Sequence, residues 1–415
     1  MINSIIYRFF KKRNEKNKAR KIELINKNRK KIVLFLNSNP WFSAVTDYSL
    51  QLCLYLKDNN EEVIYGAEKG STIMDKKCKE NGLPFFYVPI HNLGLINFIV
   101  SFIKIFYILV STKYKIEKVF CFEGREHTIL ILIKILFPFI WEKKKLIRVR
   151  GQSQVIKKNF LSIAVYKYYT DKIIFAADCV LNRVSFNIPE KKYIVQRYCK
   201  SLVFENRIIS SYKFSENFPC LNLDCLTFLI VGRFDPVKGH DIALQSFLSS
   251  GLKNDVQLVF IGKSENIEAS SLLKKYQNEY DSFIEEQNEY YLQRNNKRIF
   301  IIDRKIDDIY QIMENVHFGL ITSLASEVIC RVGVEFLQCG IPCLYTKAGA
   351  LQEVFNDFPN FQVETGDVES LKLKMEECEI IFNERIKYDQ IKINCKKVWK
   401  EKYSLENFKR IFDFI

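Results

Sequence analysis

The sequence predicts an α/β protein of two domains, each built on a parallel sheet. Three observations carry this. Apolar, β-rich runs alternate with helical periodicities from residue 31 onward, the pattern that parallel sheets covered on both faces produce. The 415 residues exceed what one hydrophobic core ordinarily organises, and a hydrophobic content of 48% is enough to fill two. The seam falls in the polar stretch from Lys200 to Leu223, which lacks strong periodicity. The chain therefore divides into a basic arm (1–30), a first domain (31–200), a second domain (201–395) and a terminal segment (396–415) with helical apolar spacing about a Ser404 cap.

The elements follow in order. Much of the net charge of +15 sits in the arm, where Arg8, Lys11, Lys12, Arg13, Lys16, Lys18, Arg20 and Lys21 cluster beside Ile5, Ile6, Phe9 and Phe10. Such a segment suits anionic lipid or nucleic acid; a solvated tail is the plain alternative. Lys31 to Asn37 reads as the first strand and Thr46 to Leu56 as an amphipathic helix. Leu93 to Val110 is long and apolar, but Asn97 and Lys104 interrupt it, so a buried or membrane-facing helix is expected rather than a membrane span. Thr128 to Trp141 reads the same way, and both segments point to interfacial binding. Glu123, Arg125, Glu126 and His127 follow the strand Val119 to Phe122. Arg148 and Arg150 alternate along the next strand and share one side of it, as a ligand-binding pair or as a basic strand edge.

The second half carries the more informative patterns. After the buried strand Phe228 to Val231 comes Gly232-Arg233-Phe-Asp235-Pro236-Val-Lys238-Gly239, which puts a planar guanidinium fork and a point charge on one loop, a combination suited to a diphosphate. Taken singly, Arg233 could pair with Asp235 or Asp241 and Lys238 could be a solvated turn lysine. Further on, the strand His317 to Ser323 leads into Glu327-Val328-Ile329-Cys-Arg-Val-Gly-Val-Glu335, and Gly340 and Pro342 supply the stop chemistry of a helix. Read as a helix from Val328, this places Glu327 near a positive N-terminus and Glu335 about two turns deeper. A dipole-complementing Glu327 and a solvated Glu335 are the plain alternatives. The apolar neighbours Val334, Phe336 and Leu337 argue instead that Glu335 is partly buried and has a partner. The site would lie at the carboxyl ends of parallel strands.

The run Val231 to Gly239, Leu258-Val-Phe-Ile-Gly262-Lys263, the Glu327-x7-Glu335 spacing, Cys339-Gly-Ile-Pro342 and Gly349-Ala-Leu-Gln-Glu353 together resemble the nucleotide-sugar-binding half of retaining GT-B glycosyltransferases, specifically glycosyltransferase family 4. The resemblance covers roughly residues 225 to 370. It implies two Rossmann-like domains whose parallel sheets face across a cleft, with the terminal helix packing back on the first domain. It implies that Arg233 and Lys238, on the loop opened by Gly232, neutralise the donor diphosphate. Glu327 and the N–H groups of Val328 and Ile329 would meet the transferred sugar or distal phosphate, and Glu335 the ribose. Glu327, Arg233 and Lys238 are thus the expected catalytic set, with no metal and no cofactor, the nucleotide-sugar being a substrate. The pair Asp307-Asp308 reads as a helix cap rather than a metal site.

The first half departs from the family. The loop Ser38 to Val45 has no glycine where a Gly-Gly pair is common, leaving Ser43 and Thr46 as hydrogen-bond donors. Arg150-Gly151 stands where many members have a histidine before glycine, and Gln196-Arg-Tyr-Cys199 replaces a glycine-containing turn. Arg150, His127 and Glu123 are the acceptor-side candidates. Twelve cysteines without a C-x-x-C pair, only four histidines and no signal-peptide pattern favour reduced, buried thiols in a cytoplasmic protein, peripheral on the inner face of the membrane. The expected partners are a nucleotide-sugar, a glycan or lipid-linked acceptor and an anionic membrane surface, in cell-surface polysaccharide or lipopolysaccharide synthesis. A nucleotide-sugar epimerase or hydrolase on the same fold, or a degenerate basic homologue, are the competing readings. No nucleic-acid module is recognisable and no nucleic acid is expected.

Overall fold

The computed structural model describes residues 31–91, 94–111, 115–201, 225–276, 282–286, 288–306, 308–325 and 327–415. The basic arm, most of the expected seam and Asp307 lie outside them. In the first domain the chain runs β1 (Lys31–Asn37), α1 (Ala44–Asp58), β2 (Glu62–Glu68), α2 (Thr72–Glu80), β3 (Phe85–Val88), α3 (Leu95–Val110), β4 (Lys115–Cys121), α4 (Gly124–Leu136), β5 (Lys145–Arg150), α5 (Phe160–Ile163, continued by a π turn over Ala164–Tyr169), β6 (Lys172–Phe175), α6 (Asp178–Leu181) and β7 (Tyr193–Val195). Its seven strands are all parallel, in the order β3-β2-β1-β4-β5-β6-β7. Alternate side chains of β1 feed two cores. Val33 and Phe35 pack with residues of α1 and α2, while Leu34 and Leu36 pack with α3 and α4.

The order reverses between β1 and β4, because α3 carries the chain back across the sheet. Loops after those two strands diverge and leave a crevice, the place where such sheets bind ligands.

The second domain runs β8 (Leu226–Val231), α7 (His240–Ser249), β9 (Val256–Gly262), α8 (Ala269–Lys274), β10 (Ser282–Glu286), β11 (Glu289–Arg294), β12 (Lys297–Asp303), α9 (Tyr310–Met313), β13 (Phe318–Ile321), α10 (Arg331–Cys339), β14 (Cys343–Thr346), α11 (Leu351–Val354), β15 (Gln362–Val363), α12 (Val368–Asn383), α13 (Arg385–Lys402) and α14 (Lys409–Phe414). Its sheet order is β10-β11-β12-β9-β8-β13-β14-β15, with a second reversal between β8 and β13.

Three elements differ from expectation. The second sheet is not wholly parallel: β10 and β11 form an antiparallel meander with β12, turning at Asn288 and Asn295, both at positive φ. Helix α10 starts at Arg331 and not at Val328, because Cys330 adopts a left-handed conformation (φ 50°) ahead of it. Glu327 is therefore a loop residue. The terminal helix begins at Arg385, and the segment that returns to the first domain is the short stretch after it. There Phe408 packs on Tyr48 and Tyr55, and Lys145 donates to the carbonyl of Ile415 (2.5 Å).

Among the described residues no helix is long and apolar enough to cross a membrane. Helix α3 buries Ser101, Ile105 and Leu109 and exposes Leu95, Ile96, Ile103 and Tyr107. Helix α4 is largely internal, with Ile129, Leu130, Ile131 and Ile133 buried, and only at its end and just beyond it are Ile135, Leu136 and Phe139 exposed.

Candidate functional site

The two domains face each other across one cleft of about 810 Å³, lined from the first domain by the loops around Asn39–Val45 and Gly151–Gln154 and from the second by Ile230–Arg233, Lys238, His240, Leu320–Ser323 and Glu327–Gly333. Glycine sets how closely its walls approach. A Cβ on Gly151 would fall 2.9 Å from Ile329 Cδ1 and 3.2 Å from Val45 Cγ2, so the domains touch there only because that residue has no side chain.

The loop after β8 is built to aim Lys238. Asp235 caps the single turn Pro236–Lys238 by accepting from the Val237 N–H (3.0 Å), and Asn266 holds its other oxygen (2.7 Å). Gly239 turns the chain with φ 68°, pressed against the carbonyl of Thr322, whose hydroxyl donates to the Lys238 carbonyl (2.8 Å). The ammonium of Lys238 is thereby delivered to the Glu327 carboxylate, with which it forms an ion pair. Ser323 donates to the same carboxylate oxygen (2.7 Å). The Glu327 backbone is fixed as well: its carbonyl accepts from the Ala350 N–H (2.6 Å), and the close approach needs Gly349 at φ 56°.

Arg233 stands at the rim, its side chain 53% exposed, between Asp235 (3.3 Å) and Glu265 (3.0 Å). The pairing with Asp235, the plain alternative in the sequence, is present, and more than half of the side chain stays open. Val328 and Ile329 line the cleft, and among the described residues their N–H groups donate no hydrogen bond.

Glu335 is buried and partnered, but away from the cleft lining. Its carboxylate accepts from Lys200 (2.7 Å), at the end of the first domain. Asp47 of α1 joins the cluster, bonded to Tyr198 Oη (2.8 Å) and 3.5 Å from Lys200. Burial works against the Asp47 charge, but Lys200 and Arg331 outweigh it and hold its carboxyl below the usual range. Glu335 is thus turned to the interface between domains, and the ribose contact expected of it does not fit this placement.

A second clamp joins the domains at Glu353. Its carboxylate accepts from the N–H groups of Asp178 (2.9 Å) and Cys179 (2.8 Å) and from Arg197 (3.1 Å), capping α6 from across the interface.

The acceptor-side candidates separate. His127 is buried, bonded to Thr170 (2.9 Å) and edge-on to Tyr166; burial, then Arg148 and Arg150, push its pKa well down. Arg150 is also buried, donating to Tyr166 and to the carbonyl of Gln154. Both are structural, and the roles expected of them as acceptor ligands do not fit. Arg148 holds the carbonyl of Cys121 (3.3 Å) and Gln152 (3.0 Å), so the pair is not a basic strand edge either.

Glu123 lies beside the cleft, accepting from Gln152 (2.8 Å); burial and the neighbouring Glu126 push its pKa up to about 7. Ser43 and Thr46 are committed within their own loop: Ser43 caps α1, and the Thr46 hydroxyl donates to the Trp41 carbonyl (2.9 Å). Asp308 caps no helix; it accepts from Gln311 (3.2 Å). Sequence reasoning missed Asn39, Trp41, Gln152 and Arg331 on the cleft walls. Only Arg331 had a signal, four residues after Glu327 in the same motif.

A sequence profile described as glycosyl transferases group 1 matches residues 216–397. A glycosyltransferase from Rickettsia africae superposes with a TM-score of 0.74 at 16% identity, over 93% of this chain and 98% of that one. HepE of Anabaena, solved with UDP and glucose, gives 0.67 at 14%, over 92% and 98%. WaaG, a glycosyltransferase involved in lipopolysaccharide biosynthesis, gives 0.58 at 12%, over 88% and 95%. A search of curated proteins finds no significant match. The fold is therefore GT-B, two Rossmann-like domains, and residues 216–397 carry a glycosyl transferases group 1 domain.

Proposed function

We propose that the protein is a family 4 glycosyltransferase that moves a sugar, with retention of anomeric configuration, from a nucleotide-sugar to a glycan or lipid-linked acceptor of cell-surface polysaccharide or lipopolysaccharide. The observation that carries the reading is the convergence of Lys238, Glu327 and Arg233 on one cleft at the carboxyl ends of the second sheet. When the glycosidic bond breaks, its electron pair passes to the donor diphosphate. Lys238 and Arg233 offset the charge that develops there, which lowers the barrier without a metal ion. Glu327, fixed by Ser323 and Ala350, takes sugar hydroxyls, and the N–H groups of Val328 and Ile329 complete the sugar or distal-phosphate site. HepE, solved with UDP and UDP-glucose, supports a nucleotide-sugar as donor. On this reading Gln152, on the opposite wall, and Glu123, which accepts from it, meet the acceptor.

The acceptor reading extends to a membrane. Right-handed crossovers put α3, α4 and α5 on one face of the first sheet. The outer side of that layer exposes Leu95, Ile96, Ile103 and Tyr107 on α3 and Phe160, Leu161 and Tyr168 on α5. Residues 94–111, 124–144 and 154–169 hold eight lysines and arginines against two acidic residues, of which Glu126 is buried. An apolar face with cationic surroundings suits anionic lipid. We place the protein in the cytoplasm, peripheral on the inner face of the membrane.

Product analysis tests the chemistry. Incubation with nucleotide-sugars, with and without lipid-linked acceptor, is expected to give a product whose new linkage keeps the donor's configuration. Free sugar or an epimerised donor as the sole product would replace transfer with hydrolysis or epimerisation.

A further inference from the structure

Several donors of the first-domain loop that faces the cleft are already committed. The N–H groups of Asn39, Trp41 and Ser43 are donated within the loop, and the Asn39 side chain is bonded to Ser43. Yet a third cation stands on the same cleft. Arg331, the first residue of α10, lines it between Glu327 and the Phe42 ring, with the guanidinium carbon 5.8 Å from the ring centroid.

Arg148, Arg150 and Arg197 also bury an unpartnered Nε, but each donates through its terminal nitrogens, whereas Arg331 has ion pairs and no hydrogen bond among the described residues. Arg331 lies 3.9 Å from Asp47 and 3.8 Å from Glu335, beyond hydrogen-bond distance for both. Those carboxylates have nearer partners, Tyr198 for Asp47 and Lys200 for Glu335. The Nε atom of Arg331 is buried with no partner among the described residues, and 31% of the side chain remains open. Two carboxylates thus hold a guanidinium in place by charge while leaving its hydrogen-bond donors unused. That is the state of a binding group before its ligand arrives, because an arginine fork left without acceptors in a half-closed site costs stability that a bound oxyanion would return.

We propose that Arg331 is a third diphosphate ligand of the donor site, its fork binding phosphate oxygens of a nucleoside diphosphate opposite Arg233 and Lys238. The inference rests on the nucleotide-sugar reading above. Phe42 keeps the guanidinium plane facing the cleft, and Asp47 and Glu335 supply the counter-charge that keeps it there before the ligand binds. The same residue joins the two domains, since Asp47 belongs to the first and Arg331 to the second. A phosphate in the cleft would compete with Asp47 for the guanidinium.

The test is calorimetric titration of the full chain with UDP, GDP and ADP, with the matching nucleosides, and with inorganic pyrophosphate. Arg331→Leu is expected to weaken the best diphosphate and pyrophosphate by about 10- to 100-fold while nucleoside binding is unchanged. Arg331→Lys should recover only part of the loss, because an ammonium lacks the planar fork. If Arg331→Leu fails to fold, Arg331→Lys and Arg331→Gln carry the same comparison. Equal diphosphate affinity in the wild type and in every folded variant would overturn this inference and leave the donor site standing. No diphosphate binding by the wild type would overturn the donor reading itself.

Discussion

The two walls of the cleft use polar residues in opposite ways. On the second domain, Lys238 and Glu327 are held by backbone contacts from behind and meet each other in the cleft. On the first, His127, Arg148 and Arg150 are buried and bonded in the interior, to Thr170, to the Cys121 carbonyl and to Tyr166. The difference lies in where glycine sits. Gly239 and Gly349 let the second-domain loops fold tightly against Thr322 and Glu327, so that side chains are pushed outward. In the glycine-free loop Ser38–Val45, Asn39 and Ser43 bond each other, Ser43 bonds Thr46 and Ser38 donates to the buried Glu126.

The largest expected break in this comparison is Lys238→Ala. Turnover should fall by about 10²- to 10³-fold with the melting temperature nearly unchanged, since the ammonium acts on developing charge and not on the core. Steady-state kinetics and a thermal melt together check it.

Next in size is Asp47→Asn, which leaves Lys200 and Arg331 undercompensated at the interface and should cost about 3 kcal/mol by denaturant titration near neutral pH. The pH dependence has a definite sign. A carboxyl held below its unfolded value contributes stability that is present above about pH 4 and is lost as pH falls through the lower folded value. The gap between wild type and Asp47→Asn should therefore narrow in acid.

His127→Gln sharpens the contrast between the walls. It should lower stability by about 1–2 kcal/mol, through the lost Thr170 bond and imperfect packing, and leave nucleotide affinity where it was. A nucleotide defect in the folded variant would move His127 into the site.

An effect of opposite sign belongs to Glu123→Gln. A carboxyl raised to about 7 contributes stability fully present below the unfolded value near 4.3 and lost as pH rises to about 7, so the variant should gain on the wild type across that window in a melting series.

Much of the second-domain wall was legible in the sequence because its determinants are local: a strand, a glycine-bounded loop and the Glu327-x7-Glu335 spacing. Glu335 was read correctly as buried and partnered, but not its partner. Lys200 is 135 positions away, and only tertiary packing joins them. The start of α10 was misplaced because nothing in Val328-Ile329-Cys330 announces a left-handed cysteine. The β10–β11 hairpin was missed although Asn288 and Asn295-Asn296 bracket the tyrosine-rich strand at turn positions. Arg150 and His127 were misread for a physical reason as well: burial can be inferred for apolar runs, whereas a buried cation needs partners that the sequence does not disclose.

The central claim is that the cleft binds a nucleoside diphosphate through the second-domain loops. Calorimetric titration of the wild type, Lys238→Ala and His127→Gln with UDP, GDP and ADP tests it most directly. The account predicts that one nucleotide binds the wild type and His127→Gln alike and binds Lys238→Ala at least about tenfold more weakly. Equal binding by all three folded proteins, or none by the wild type, would contradict it.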